Sequence, residues 1–351
     1  MTTAPRVLHV TECYAGGVSK AVDTLVELAD EAEHHLVWSG DEVPHRSAGY
    51  RSIQRMPTAP WAAVAAIRRA VDRIQPDLIH AHSSWAGVYT RVVDLKTPVI
   101  YEPHCYKFDD AAQPSAIRFA YRTAEKLLLA RTARTVVLSP HEESLARSLG
   151  RDVATHFLPN VASVRPTCLQ PPTGFETNRS VAMIGRLSPQ KDPRFFAEMA
   201  RHAHEADSET RFIWIGDGDR RMRQLLADAG VEVTGWLDET EMIDMLAQPW
   251  VYFHTARYEG FPLSILDAAA FEHPIAARRI PAFDGTGIPS ASTPLQAAEL
   301  VSEIFRSSDA HAMASSAARN LNKKMSLESQ RQSLSDLYHS NIEGLQLNER
   351  V

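Results

Sequence analysis

Residues 251–271, VYFHTARYEGFPLSILDAAAF, decide the fold predicted for this chain. The apolar and aromatic run from Trp250 to Phe253 predicts a buried strand. A short polar loop from Ala256 to Gly260 leads into a helix, which Pro262 opens because proline suits a first helical turn. A strand followed directly by a helix is the repeating element of an α/β domain.

Two acids frame this helix. Glu259 immediately precedes it, and Asp267 shares a helical face with Leu263 and Ser264. The free N–H groups of a helix start favour an anion, typically a phosphate. A carboxylate beside that phosphate accepts hydrogen bonds from sugar hydroxyls, so the two acids match the ribose and hexose ends of a nucleotide sugar. The same spacing also fits one solvated acid at a helix start and another on an exposed face.

The stretch resembles the E-x7-E signature of retaining, metal-independent glycosyltransferases of the GT-B fold, in the large family four. Here the motif runs Glu259-Gly260-Phe261-Pro262-Leu263-Ser264-Ile265-Leu266-Asp267-Ala268. By this resemblance Glu259 contacts the sugar hydroxyls, and the segment from Gly260 to Ser264 binds the donor. Asp267 replaces the usual second Glu and contacts the ribose with a side chain one methylene shorter.

Composition limits the classes of function. The chain has 351 residues, enough for two domains, and its 44% hydrophobic and 23% charged residues are typical of a globular protein. A net charge of −6 gives no attraction to nucleic acid, so no such partner is expected. No apolar run suits a membrane span, and we expect no signal peptide, since the N-terminal residues lack its hydrophobic region. The three cysteines are widely spaced, which argues against a disulfide framework or zinc site and favours the cytoplasm.

Strand and helix patterns alternate through the first half, which predicts a parallel sheet covered on both faces. Ligands of such sheets bind beyond the carboxyl ends of the strands, where Glu12, Gly16, His82 and His104 fall. Gly16-Gly17 allows close backbone approach but is no dinucleotide fingerprint, so an NAD site is unsupported. By the resemblance, Gly16 and Gly17 approach the donor phosphates and acceptor, and His104 faces the donor sugar as a catalytic residue.

Two further features of this half leave alternatives open. His80 and His82 point to one side of their strand, but no third ligand follows at a convincing spacing. We therefore expect a structural or acceptor-facing role, with no metal and no cofactor. Residues 114–133 predict a helix whose basic side chains form either a solvated face or a patch for an anionic membrane or phosphate-bearing lipid.

The second half begins after a proline-rich linker at 163–178. A strand at 180–185 and the loop RLSPQKD precede a helix for which Asp192 is the expected cap. Arg186 and Lys191 in this loop suit a diphosphate clamp, because their charges neutralise a departing phosphate. The segment GRLSPQKD resembles the family motif G-R-L-x-x-x-K-G, in which the Arg and Lys hold the donor pyrophosphate as catalytic residues.

Two more second-half segments carry site predictions. Asp217-Gly218-Asp219 matches a D-x-D metal motif, but we interpret it as a turn with Asp219 at a helix start. A strand is predicted at 231–237, and by resemblance its end lies near the nucleotide base. Trp236 or Leu237 packs there on the base, or else on the core.

The prediction is an α/β protein of the GT-B fold, with two Rossmann-like domains whose parallel sheets face each other across a cleft. We expect an acceptor-binding domain at 1–162, the linker, a donor-binding domain at 179–325, and a helix at 326–351 that crosses back to the first domain. The predicted enzyme moves a sugar from a nucleotide-sugar donor to a glycan, lipid-linked or small-molecule acceptor. The expected donor is a UDP-sugar, with a GDP-sugar or another nucleoside-diphosphate sugar as the alternative. Such an enzyme suits polysaccharide biosynthesis at the inner face of the membrane. A nucleotide-sugar epimerase, a natural-product glycosyltransferase and a non-catalytic binding protein are the alternatives.

Overall fold

The structure is a computed structural model. It describes residues 4–44, 49–166, 174–175, 178–207 and 209–348, so 167–173 and 176–177 of the predicted linker lie outside the described residues. The chain divides into two compact units. Unit 1 comprises Met1–Asn160 and Leu327–Val351, and unit 2 comprises Val161–Ser326.

Unit 1 is built on a seven-stranded parallel sheet. Its strands are β1 (Arg6–Thr11), β2 (Glu33–Trp38), β3 (Tyr50–Arg55), β4 (Leu78–His82), β5 (Val99–Glu102), β6 (Arg134–Val137) and β7 (Thr155–Phe157). The helices that connect them are α1 (Gly17–Leu28), α2 (Pro60–Ile74), α3 (Ser84–Arg91), α4 (Ser115–Leu128) and α5 (Pro140–Arg147). The strand order is β3-β2-β1-β4-β5-β6-β7, so the order reverses between β1 and β4.

Unit 2 has a six-stranded parallel sheet in the order β10-β9-β8-β11-β12-β13. Its strands are β8 (Ser180–Ile184), β9 (Arg211–Ile215), β10 (Val231–Val233), β11 (Val251–His254), β12 (Ile275–Arg278) and β13 (Ser290–Ala291). Its helices are α6 (Pro193–Ala206), α7 (Arg220–Ala227), α8 (Glu239–Leu246), α9 (Leu263–Ala270), α10 (Pro294–Arg306) and α11 (Ser308–Lys324). The order reverses between β8 and β11, which are direct neighbours.

The last helix, α12 (Leu327–Asn348), belongs to unit 1. Its buried side chains Leu334, Leu337 and Tyr338 share one apolar cluster with Val7 of β1 and Leu25 of α1. Without these side chains one face of the unit 1 sheet would lose part of its apolar cover, since both faces of a parallel sheet need such cover.

The fold class, two Rossmann-like α/β domains with parallel sheets, is confirmed. One local prediction was wrong, since the strand predicted at 231–237 ends at Val233. The sequence analysis also missed β3, whereas the helix predicted at 326–351 corresponds to α12. In parallel sheets of this kind, ligands bind outside the carboxyl ends of the strands where the order reverses, so each unit has one such position to examine.

Candidate functional site

In unit 2 the loops after β8 and β11 flank the reversal of strand order, and a buried ion pair joins them. Lys191 Nζ lies 2.5 Å from Glu259 Oε1, with the two side chains only 18% and 9% exposed. The backbone supports the pair, because Thr255 donates through its hydroxyl to the Lys191 carbonyl at 2.6 Å. Arg257 N–H likewise donates to the Gln190 carbonyl at 2.9 Å. The two predicted site residues are therefore held together at the predicted edge of the sheet.

The charge of Glu259 is set by its neighbours. Burial raises the pKa of its carboxyl, but Lys191 and His254 outweigh burial and lower that pKa to about 2. His254 Nε2 lies 3.4 Å from Glu259 Oε1, and burial lowers the pKa of this ring to about 4. Gln190 Nε2 donates to Glu259 Oε2 at 3.4 Å. The carboxylate is thus an ionised acceptor surrounded by donors. His254 is a contact that the sequence interpretation missed.

The expected capping role of Asp192 was wrong. Asp192 stands at the N-cap of α6 with φ 51°, and its side chain makes no capping hydrogen bond. Instead Asp192 Oδ2 accepts from Arg257 Nε at 2.8 Å and from Arg278 Nη1 at 2.7 Å. The left-handed backbone explains a glycine at this place in the resembled motif. Here two arginine contacts hold an aspartate in that conformation.

The starts of α6 and α9 differ from those of the other helices after unit 2 strands. Among the described residues, neither Asp192 nor Pro262 caps its helix with a side-chain hydrogen bond. Asp219 caps α7, Asp238 caps α8 and Thr293 caps α10. Unoccupied N–H groups at a helix start favour an anion, so α6 and α9 are the suitable places in unit 2 for a phosphate.

The predicted donor segment surrounds the α9 start. Gly260, Phe261 and Pro262 are buried before the helix, and Leu263, its first residue, is partly exposed. Ser264 accepts a hydrogen bond from the Tyr252 hydroxyl at 2.9 Å. Pro262 is the N-cap rather than the first helical residue, one position earlier than predicted.

Arg186 and Trp236 lie together near the same edge. Arg186 is exposed after β8, and its guanidinium carbon is 6.0 Å from the centre of the Trp236 ring. Trp236 is 63% exposed, so the alternative in which it packs in the core was wrong. Leu237 is partly exposed beside it. An exposed indole next to a cation offers a face for a nucleotide base near a group that binds phosphate.

Asp267 is not on an exposed face. Its side chain is buried and Oδ1 accepts from Ser163 N at 2.6 Å and from Val164 N at 3.0 Å. The Ser163 hydroxyl also donates to Oδ2 at 3.0 Å. The carboxylate therefore anchors the first residues of unit 2, a role that sequence spacing did not indicate. Contact with a ribose stays a prediction.

The carboxylates of the D-x-D segment have protein partners. Asp217 accepts from Arg223 Nη2 at 2.7 Å, and Asp219 accepts from the N–H groups of Arg221 and Met222 at the start of α7. The interpretation of Asp219 as a residue of a helix start is confirmed.

In unit 1 the glycine loop lies at the reversal of strand order, but its helix start is occupied. Gly16 and Gly17 are exposed, with Gly16 at φ 56° and open space where a Cβ would point. Glu42 accepts from Gly16 N–H at 2.7 Å and from the Ser19 hydroxyl at 2.5 Å. Glu12 similarly accepts from the α3 start, from Ala86 N–H at 2.7 Å. These carboxylates already fill the places that an anion would take.

Buried histidines line the same edge of unit 1. His104 follows β5 with φ 51°, an uncommon conformation for this residue type, and its side chain is 8% exposed. His82 and Glu102 are register partners in neighbouring strands, as are His9 and His80. Because the register sets these groups beside each other, His9 and Glu102 join the predicted histidines. Polar residues within otherwise apolar strands were the signal that could have found them.

The expectation that no third ligand accompanies His80 and His82 was wrong. Two sets of ligand-type atoms lie within 4.8 Å of one another, His9 with His80 and His82, and His82 with Glu102 and His104. Within these sets, ring nitrogens of neighbouring histidines meet at hydrogen-bond distance, 3.1 Å for His9–His82 and 3.2 Å for His82–His104. Shared protons explain such contacts, so we assign no metal to the cluster.

Two family models match this chain. Residues 3–161 match a model described as glycosyl transferase 4-like domain, and residues 178–322 match one described as glycosyl transferases group 1. An Escherichia coli UDP-Gal:alpha-D-GlcNAc-diphosphoundecaprenol alpha-1,3-galactosyltransferase is 24% identical over 216 residues. The match covers 55% of each protein, so the chain spans about half the length of this curated relative.

Solved structures share the fold. Sucrose-phosphate synthase from Thermosynechococcus elongatus superposes with a TM-score of 0.80 at 17% identity, covering 97% of this chain and all of the other. The Anabaena protein Alr3699/HepE in complex with UDP-glucose gives 0.76 at 14% identity, covering 95% of this chain and 99% of the other. At such identities the likeness concerns the fold alone.

The Lys191–Glu259 pair predicts how stability depends on pH. Since the pKa of Glu259 is about 2 against an ordinary 4.5, its contribution is present above about pH 4.5 and is lost as the pH falls towards 2. In Lys191→Met, the cation that most lowers the pKa of Glu259 is lost, so this pKa rises. A carbon-13 NMR titration of the carboxyl measures both values. Lys96→Met, which removes the cation from an exposed pair with Asp94, is the control and leaves Glu259 unchanged. An unshifted Glu259 in Lys191→Met contradicts the pairing.

The Asp267 contacts predict a loss of stability. Asp267→Ala leaves the N–H groups of Ser163 and Val164 without this acceptor and lowers the free energy of unfolding by about 2–3 kcal/mol. Denaturant unfolding measures the change, and Asp244→Ala, at an exposed acid of α8, should stay within about 0.5 kcal/mol. Unchanged stability in Asp267→Ala together with weaker donor binding would instead favour the ribose contact.

Proposed function

We propose that this chain, which belongs to the glycosyltransferases with a 4-like domain and a group 1 domain, is a retaining hexosyltransferase that needs no metal. The donor is a UDP-sugar and the acceptor is a hydroxyl group of a glycan or lipid-linked saccharide. The observation that carries this proposal is the unit 2 edge where Lys191 and Glu259 meet beside the uncapped start of α9. An anion-binding helix start and an ionised acceptor for hydroxyls are the two groups that a nucleotide sugar requires.

In the proposed reaction, the departing diphosphate is stabilised by Arg186, Lys191 and the N–H groups at the start of α9. Glu259 accepts hydrogen bonds from the sugar hydroxyls and stays ionised at neutral pH, since its pKa is about 2. Lys191 pairs with this carboxylate, so in the proposed complex one cation serves both the carboxylate and the phosphate. Asp267 and Trp236 are the predicted contacts of the ribose and base.

Retention follows in this proposal from substitution on one face of the sugar. The bond from the anomeric carbon to the diphosphate oxygen breaks, and an oxocarbenium ion forms briefly. The acceptor hydroxyl attacks from the face that the diphosphate leaves and gives its proton to the departing phosphate oxygen. His104 is the proposed contact at the far edge of the sugar.

The acceptor class rests on the curated relative and on one helix. That relative is a galactosyltransferase for a saccharide linked to diphosphoundecaprenol, which supports a lipid-linked acceptor here. Within the described residues, no helix has both the length and the apolar character needed to cross a membrane. Peripheral contact through side chains of α4 is the form of membrane association that we propose.

Helix α4 is the proposed contact surface. Phe119 and Leu127 are 71% and 76% exposed, so two large apolar side chains of this helix point to solvent. Arg118 and Arg122 donate to the carbonyls of Phe108 and Ser148, which keeps cations along this helix. Exposed apolar groups beside cations fit an anionic lipid surface.

The donor is identified by NMR of the protein with UDP-, GDP- and dTDP-sugars. We expect slow release of sugar and nucleoside diphosphate from a UDP-hexose, and transfer once a saccharide acceptor is added. Glu259→Ala and Lys191→Ala should lower turnover at least about 10²-fold because transition-state contacts are lost. Conversion into another nucleotide sugar would indicate an epimerase, and full activity in both variants would contradict the assigned site.

Membrane contact is tested by co-sedimentation with vesicles that contain phosphatidylglycerol. Phe119→Ser combined with Leu127→Ser should weaken binding at least about tenfold, because burial of each apolar side chain contributes roughly 1.5–3 kcal/mol. Val43→Ser, at a 73% exposed apolar residue elsewhere in unit 1, is the matched control. Equal sedimentation of the double variant and the wild type would exclude α4 as the contact.

A further inference from the structure

Unit 1 contains a hydrogen-bonded row of four histidine rings, which we call the histidine chain. Its members in spatial order are His34, His9, His82 and His104. Successive ring nitrogens are separated by 3.0 Å, 3.1 Å and 3.2 Å. All four rings are largely shielded from solvent, so each contact must be satisfied within the protein.

One end of the histidine chain fixes the direction of its hydrogen bonds. His34 Nε2 lies 2.8 Å from the Ala29 carbonyl, which can only accept, so His34 Nε2 carries a proton. A neutral ring has one N–H, so His34 Nδ1 then accepts from His9 Nε2. Burial lowers the pKa of His9 well below its ordinary value and that of His82 to about 3, so these rings stay neutral. The same direction therefore continues through His9 and His82, and His104 Nε2 donates to His82 Nδ1.

The other end of the histidine chain also meets an acceptor. With Nε2 as the donor, a neutral His104 has a bare Nδ1, and this atom lies 3.4 Å from Glu102 Oε1. Without a further proton, a lone pair of His104 Nδ1 would face a lone pair of Glu102 Oε1 inside unit 1. Four neutral rings supply one proton each, whereas the row from the Ala29 carbonyl to the Glu102 carboxylate contains five contacts. The fifth contact needs a fifth proton.

We propose that Glu102 is a positioning residue, which closes the histidine chain and holds one excess proton between its carboxyl and His104 Nδ1. The His104–Glu102 pair is then neutral as a whole, and His104 Nε2 is a fixed donor. Without the proton, the unit would bury an uncompensated carboxylate at the edge of its sheet, which is costly.

Other groups around the His104–Glu102 pair do not change this count of protons. His80 Nδ1 accepts from the Tyr338 hydroxyl at 3.1 Å. His80 Nε2 and His82 Nδ1 lie 3.2 Å and 3.4 Å from Glu102 Oε2, but among the described residues neither forms a hydrogen bond with that oxygen, so they do not compensate its charge. Glu12 after β1 and Glu142 of α5 are acids near the pair, and each has its own N–H donors. Burial raises the pKa of Glu102, but the histidines around it, His104 first, hold it well below its usual range, and burial also lowers the pKa of His104. The excess proton therefore follows from the count of contacts and not from either pKa.

The consequence for the reaction rests on the proposed function. His104 Nε2–H is a donor that a sugar hydroxyl oxygen can accept from in place of His82. The histidine chain thereby fixes His104 Nε2 as a hydrogen-bond donor before any substrate binds.

The test counts charge without any substrate, so its outcome is independent of the proposed activity. An ordinary Glu→Gln change makes a protein more positive by one charge at pH 7.5. Glu102→Gln should migrate with the wild type in capillary electrophoresis, because the amide N–H replaces the excess proton. Glu125→Gln is the matched control, a buried glutamate of unit 1 that accepts from Arg91 Nη2 at 2.9 Å, and it should shift by one full charge.

Nitrogen-15 spectra of the histidine rings in the wild type provide the second readout. We expect protonated Nε2 atoms throughout the histidine chain and a fifth proton in the His104–Glu102 contact. The proposal is overturned by a full charge shift in Glu102→Gln, by a bare His104 Nδ1 beside an ionised Glu102, or by a stoichiometric metal ion in the purified protein.

Discussion

The ion pair between Lys191 and Glu259 is the contact on which the unit 2 site depends. It joins the loops after β8 and β11, the two neighbouring strands where the sheet order reverses. Removing one partner leaves a buried charge without compensation, which costs about 3–5 kcal/mol. The pair therefore holds Glu259 ionised in the loop that leads into α9. In the proposed function, the cation of this pair serves the phosphate and its carboxylate serves a sugar hydroxyl.

The two units differ in whether side chains contact the starts of the helices at the reversal of strand order. In unit 1, Glu42 and Glu12 occupy the starts of α1 and α3 that follow the strands at the reversal of order. In unit 2, the corresponding starts of α6 and α9 have no side-chain cap among the described residues. Phosphate recognition is therefore favoured in unit 2. The exposed glycine loop of unit 1 remains suited to close approach by other parts of a substrate.

Much of the fold was predictable because strands and helices are encoded by patterns within short segments of sequence. Alternating strand and helix periods indicated two parallel sheets, and the segments around Lys191 and Glu259 indicated the edge at which both residues lie. Partners that come from other strands were not predictable. Asp267 contacts Ser163, about a hundred residues away in sequence, and Asp192 contacts Arg278. Side-chain periodicity shows which face a residue takes, but it does not show which distant group meets it there.

The most direct test of the account is a crystal structure of the protein with UDP. We predict that the diphosphate lies against the N–H groups at the start of α9, with Arg186 and Lys191 as its cations and Trp236 beside the uracil. A diphosphate bound instead at Gly16 and Gly17, with Glu42 displaced from the start of α1, would contradict the assignment of the donor site to unit 2.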